Sequence, residues 1–406
     1  MSAPVKKPEN PADAVVALFK KHFQHTPPLT VKVPGRLRLL GADGDQDDGL
    51  SICAAVDRYA FIAAAPRTDG RIELASSLAV STEKFWMSDL DPGANHSWSA
   101  PIKATLAQLR RRRVNFSGFN AAIHSSIPPG LDCGNFAAQA LALALMVRRL
   151  YPFGLSETGA TVPPRRNERG DLPPLALPEK LNFARLVREA EASLTGETAC
   201  LADPLASLFG KAWNVLSVDA RFATVERTPL VGEALIVCPT HQRPEGPAQK
   251  ISSPDRFREL ARNVAAKLGA KSLRSVELNL LKASRAKLDP EEFALASHVI
   301  GETARVVAAE RALRDDDHAQ FGQYLWQSHE SAAEFASRHS EETDLLIRLA
   351  RRHRGCLGAR AIPGATLNVV AYHHAQNFME ELSREFETLL GVKLEPVVCQ
   401  LVEGAG

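Results

Sequence analysis

Three stretches of this 406-residue chain combine residue types that can do chemistry. Gly41–Gly49 holds four aspartates, Asp43 and Asp45 among them, and three glycines. The two oxygens of such a carboxylate suit two vicinal hydroxyls of a ligand. Gly130 and Gly134 lie in a turn between an apolar strand and an Ala/Leu-rich helix. Glycines there let backbone N–H groups approach an anion, and a helix start attracts one. Asp203, just before Pro204, offers a carboxylate that can take a proton, although capping a helix is the more ordinary task of such a residue. The dense basic run Arg110–Arg113 reads as a solvated helix end, and nothing in the spacing of Lys103 or Lys211 favours phosphate contact. No GxxxxGK[ST] loop is present. The six cysteines form no CxxC pair and no metal-ligand spacing with histidine, so they read as reduced structural thiols and no metal site is expected.

The elements around these stretches alternate in type. Ala14–Phe23 has the apolar periodicity of a helix. Leu29–Val33 and Arg36–Leu40 read as strands parted by a turn at Pro34-Gly35. Ser51–Ala65 is a long apolar strand, and Asp69-Gly70 is a hairpin turn before Arg71–Ala75. Phe119–Ile127 is a strand and Ala137–Leu150 the strongest helix. Tyr151–Glu179 carries six prolines and reads as a surface insertion. Leu181–Leu194 is helical, Ala212–Asp219 and Glu233–Val237 are strands, and Ser253–Lys267 is a helix with Ser253 as N-cap. Pro290–Leu313, Ala319–Arg338 and Glu341–Arg351 are helices. Leu367–His373, Gln376–Leu390 and Leu394–Cys399 close the chain as strand, helix and strand. The class is α+β.

Composition excludes little and points nowhere exotic. The chain is 45% hydrophobic and 24% charged with a net charge of +2, so neither nucleic acid nor a membrane surface is an expected partner. The polar stretch Met1–Asp13 carries no export signal, the longest apolar run is too short to span a bilayer, and the location expected is cytoplasmic.

Motifs in fixed order resemble those of galactokinases, sugar kinases of the GHMP family. Pro34-Gly35-Arg36-Leu37-Arg38-Leu39-Leu40-Gly41-Ala42-Asp43-Gly44-Asp45 is similar to PGRVNLIGEHTD, followed at matching distance by Ala55-Val56-Asp57-Arg58-Tyr59 for AIDRY. Ile127–Ala138 occupies the place of IPxGAGLSSSAA, with Asp132 for the inner glycine and Gly134, Asn135 and Phe136 for the three serines. Gly358-Ala359-Arg360 opens a stretch resembling GARMTGAGFGG whose later glycines are replaced. Ala190-Glu191 through Asp203 keeps the spacing of AENEFVGVPCGIMD, and His298 to Val306, Ser328 to Ser331 and Glu342 to Leu346 resemble HVVxExxRV, SHxS and ELDxL. The resemblance covers roughly residues 14–402.

It implies a GHMP kinase fold of two lobes, residues 1–222 (with 151–180 as the insertion) and 223–406, with the cleft between them. It implies ATP-dependent phosphorylation of galactose or a related sugar at the anomeric hydroxyl. Asp203 and Arg36 would be catalytic, Asp45 and Asp43 would bind sugar, and Gly130, Gly134 and Asn135 would face nucleotide; ATP and Mg are the cofactors of an active enzyme. Two readings stand. The survival of Arg36, Asp45 and Asp203 together fits an active kinase with a divergent nucleotide loop. The losses in all three glycine-bearing motifs fit a pseudokinase that binds sugar, needs no cofactor and takes a protein partner if it regulates. Asp132 and Phe136 together favour the second.

Overall fold

α1 (Pro11–Phe23) starts at Asn10, whose side chain accepts from the Ala12 N–H at 3.2 Å, and turns Val15 and Phe19 inward onto Phe61, Ala63 and Ala122. It packs on a sheet built around two long strands, β1 (Leu29–Leu40) and β2 (Leu50–Pro66). The computed structural model describes residues 10–42, 49–91, 97–128, 130–196, 199–240, 254–336 and 340–405. The expected turn at Pro34-Gly35 is a bulge instead: the register with β2 shifts between these two residues and the strand continues.

β3 (Arg71–Ser76), β4 (Glu83–Trp86), β5 (Phe119–Ser125), β8 (Asn214–Asp219) and β9 (Thr224–Pro229) complete a seven-stranded sheet of order β4-β3-β5-β2-β8-β9, with β1 on the other edge of β2. β6 (Gly154–Leu155) and β7 (Thr161–Val162) form a ribbon within the expected insertion. Asp69-Gly70 does not make the expected hairpin. β5 lies between β2 and β3, antiparallel to one and parallel to the other. The reason is spatial: α2 (Ala100–Arg111) intervenes in the chain and returns β5 to the centre of the sheet, where it buries Phe119, Ala121 and Ala122. β9 was not foreseen. It pairs with β8, so the expected boundary at 222 falls inside the hairpin that finishes this sheet.

α3 (Asn135–Leu150) runs under β1 and β2 against α2 and α4 (Leu177–Thr195). Its residues Ala137 to Arg148 are buried but for Gln139, and its alanines let the neighbouring backbones come close. α5 (Ala202–Phe209) sits at the end of α4 and is strapped down by the chain terminus: Gly404 N–H donates to Gly210 O at 2.9 Å and Ala405 N–H to Ser207 O at 2.9 Å.

A four-stranded sheet follows, of order β11-β12-β10-β13, from β10 (Glu233–Pro239), β11 (Cys356–Ile362), β12 (Ala365–Ala371) and β13 (Val397–Cys399). The helices of this half of the chain are α6 (Pro254–Lys267), α7 (Leu278–Ala283), α8 (Pro290–Arg314), α9 (His318–Ala336), α10 (Glu341–Arg352) and α11 (Ala375–Leu390); the last three pack on this sheet and α8 packs on the seven-stranded one. α8 opens with a reciprocal cap, Glu292 N–H donating to Asp289 Oδ1 at 2.8 Å and Asp289 N–H to Glu292 Oε2 at 3.1 Å. Ser253 lies outside the described residues. The main hydrophobic cluster draws on both sheets, from Val33 and Leu141 to Leu235 and Leu367. Helices and strands are mixed, as the class α+β requires. Among the described residues no helix is long and apolar enough to cross a membrane.

Candidate active site

Arg36 and Asp203 meet where β1 passes the start of α5. Asp203 is the second residue of that helix, and Leu201 occupies the N-cap position, so the carboxylate is not spent on capping. Arg36 Nε donates to Asp203 Oδ1 at 2.7 Å and Nη2 donates to Oδ2 at 2.7 Å. This bidentate fork fixes both oxygens. Arg36 is 2% exposed and Asp203 15%. Arg38, two residues along the same strand face, donates from Nη2 to Asp203 Oδ1 at 3.3 Å and to Cys200 Sγ at 3.3 Å. Burial alone would push the Asp203 carboxyl up, but the guanidinium groups of Arg36 and Arg38 win and hold it below the ordinary carboxylate range.

A second carboxylate stands on Arg36. Asp132 Oδ1 accepts from Nη2 at 2.8 Å and Asp132 O accepts from Nη1 at 2.9 Å. Cys133 O accepts from the Arg36 N–H at 2.9 Å. Gly134 takes φ +66°, and a Cβ there would stand 2.9 Å from Arg36 Cγ, so glycine admits the arginine stem. Glu191 on α4 completes the acidic surroundings; burial, then the charge of Asp203, raise its carboxyl to about 7. Burial likewise pushes the Cys200 thiol up to about 12, which leaves it un-ionised and unreactive.

Of the residues expected at the nucleotide side, Gly130 holds φ +83° with open space where a Cβ would go. The turn between β11 and β12 comes against it: a Cβ on Gly364 would lie 2.6 Å from Gly130 O. Asn135, first in α3, has its side-chain oxygen occupied by Ser125 Oγ at 3.2 Å and Gln139 Nε2 at 3.0 Å. Phe136 packs against the main hydrophobic cluster. Leu367 and Asn368, where glycines were expected for close approach, are buried in β12, and Asn368 Nδ2 donates to Ile236 O at 3.0 Å. Asp43 and Asp45 lie outside the described residues. The other basic candidates are engaged elsewhere: Lys211 with Glu403 at 2.8 Å, Lys103 over the Phe85 ring, Arg110 with Met87 O and Arg112 with Glu189.

The geometry also explains the scattered motifs. Glu302 is 1% exposed; its Oε1 accepts from Gly41 N–H at 3.0 Å and Ser328 Oγ at 2.7 Å, and its Oε2 accepts from Arg305 Nε at 2.8 Å. Arg360 Nη1 lies 3.4 Å from Glu302 Oε1 and donates to Leu39 O at 3.2 Å. One buried node thus ties α8, α9 and β11 to the end of β1, just beyond the site.

Residues 17–66, which contain β1 with Arg36 and Arg38, match the galactokinase galactose-binding signature. A galactokinase from Roseiflexus sp. (strain RS-1) is 28% identical over 397 residues, 96% of this chain and 95% of that one. The chain is thus similar to galactokinases over nearly its whole length. The fold of a Lactococcus lactis galactokinase solved with galactose superposes with a TM-score of 0.83 over 97% of this chain and 99% of that one, at 20% identity. A mevalonate kinase shares the fold at a TM-score of 0.59, covering 92% of this chain and 99% of that one, at 13% identity. The GHMP kinase fold is therefore the observed one.

ATP and Mg are the implied cofactors, and the loop at Asp132 and Cys133 does not fit a triphosphate. A phosphate cradle needs inward-facing N–H donors. Here Asp132 and Cys133 turn two carbonyls and a carboxylate toward Arg36. Three partners escaped the sequence reading. Arg38 stands where the family signature has asparagine, and Glu191 was quoted only as a motif match; both had a signal in the alignment. The pairing of Asp132 with Arg36 had none, because it depends on which way one loop side chain points.

Proposed function

We propose that this chain is a galactokinase-family protein that binds galactose or a related sugar and in which phosphotransfer is weakened or lost. The observation that carries this reading is the double guanidinium grip on Asp203. In this family reading Asp203 faces the anomeric hydroxyl. A carboxylate held by Arg36 and Arg38 accepts a hydrogen bond from that hydroxyl and orients it. The same two cations depress its basicity, so it takes the proton poorly. The sugar side is supported by the signature match over residues 17–66, within which Asp43 and Asp45 are the proposed hydroxyl ligands. The two lobes of the fold would be residues 1–222 and 223–406, with β9 crossing that boundary to finish the first sheet.

A sugar panel tests the reading. Galactose or a related hexose raises the unfolding temperature of the wild-type chain and does not raise that of Asp203→Ala. Failure of every sugar to raise it overturns the reading. The alternative, an active sugar kinase with a divergent nucleotide loop, rests on Arg36 and Asp203 surviving together as a fork at 2.7 Å.

A further inference from the structure

Arg36 is nearly saturated by its own chain. Nε and Nη2 serve Asp203, Nη2 also serves Asp132 Oδ1, and Nη1 serves Asp132 O. A guanidinium that is 2% exposed keeps its charge and must be matched by acceptors. Asp203 supplies one carboxylate from the core side. Asp132, 30% exposed, supplies the other from the open side of the site, where a ligand would arrive.

We propose that Asp132 is the resident anion of Arg36, filling an anion site that would otherwise accept a phosphate-class oxyanion. The inference rests on the reading above that the phosphotransfer side of this protein is disabled, and it names the residue that disables it. Three features define the site. The first is the Arg36 Nη2 donor held by Asp132. The second is the start of α3, a 16-residue helix whose N-cap Gly134 gives the first-turn amides no side-chain cap. The third is the space on one side of Gly130, where a Cβ would meet nothing within 4 Å. An oxyanion approaching Nη2 meets the Asp132 charge at hydrogen-bonding distance from its own intended place, so the two exclude each other.

The loop does not depend on the Asp132 side chain for its position. Cys133 O on the Arg36 N–H and Asp132 O on Nη1 are backbone contacts, and a Cβ on Gly35 would stand 2.7 Å from Cys133 O, which shows how closely loop and strand are pressed together. Asp132→Gly therefore vacates the carboxylate and leaves the backbone frame.

The experiment is thermal unfolding at constant ionic strength with inorganic phosphate, and separately with Mg-ATP, on wild type, Asp132→Asn and Asp132→Gly. Asp132→Gly is expected to gain at least tenfold in phosphate affinity, seen as a saturable stabilisation absent from wild type. Asp132→Asn, which keeps the volume and removes the charge, gains less. Adding Arg36→Met to either variant abolishes the gain. If neither variant, each unfolding cooperatively, responds to phosphate more than wild type does, the inference fails while the sugar-binding reading stands. If wild type responds to phosphate and Mg-ATP as strongly as the variants, the inference and the reading of a disabled phosphotransfer side fail together.

Discussion

Arg38 places a second guanidinium 3.3 Å from the Asp203 oxygen that Arg36 already holds at 2.7 Å. One carboxylate thus serves two cations, and its removal leaves both without it. Asp203→Ala is expected to lower stability by about 1–3 kcal/mol, because Arg36 loses its bidentate partner but keeps Asp132. Arg36→Met with Asp203→Leu is expected to cost clearly less than the sum of the single changes. Urea unfolding of the four chains gives the coupling, and strict additivity would contradict the pairing. Because the Asp203 carboxyl is held low, its contribution is present above the ordinary carboxylate range and is lost as pH falls through it.

Glu191 has the opposite sign. Its carboxyl is raised from 4.5 to about 7, so between these values the folded chain holds a proton that the unfolded chain has released. Stability from this site is full below pH 4.5 and falls as pH rises toward 7. Glu191→Gln removes that slope, and the difference between wild type and variant changes by up to about 3 kcal/mol across the window. A pH-independent difference would show that Glu191 is not held this way.

Glu302 should be the most sensitive acidic position away from the site. Its carboxyl is held down to about 2, burial opposing and Arg360 and Arg305 prevailing. Glu302→Ala strands two arginines and the Gly41 N–H, at a cost of about 3–5 kcal/mol. The wild-type contribution persists above pH 4.5 and disappears only toward pH 2. Chemical unfolding at pH 7 and pH 3 checks both statements.

Gly134 is fixed by conformation and by space together. Gly134→Ala must adopt φ +66°, at about 1–2 kcal/mol, and must push Arg36 Cγ from 2.9 Å. It should destabilise by more than Gly170→Ala, where φ is +81° and nothing lies within 4 Å. Equal losses at the two sites would mean that the Arg36 contact is not tight.

These features divide by what a linear pattern can carry. Strong periodicity and composition placed α3 and β2 within a few residues, because their burial is nearly continuous. The ExxR, SHxS and GAR motifs were visible as strings, but their meeting at Glu302 is long-range and no spacing announces it. The Asp69-Gly70 hairpin was misread because sheet order depends on where β5 inserts, which local turn chemistry does not encode. At the site, Arg36 and Asp203 were legible through their family spacing and do lie together. Arg38 was printed in the same stretch as Arg36, and only the strand geometry shows that both side chains reach the same carboxylate.

The most direct test of the central claim is a binding and turnover measurement on the wild-type chain with galactose and Mg-ATP, separately and together. Stabilisation by galactose, none by millimolar Mg-ATP, and no accumulation of a sugar phosphate is the predicted result. Saturable Mg-ATP binding together with formation of galactose 1-phosphate, abolished by Asp203→Asn, would contradict it.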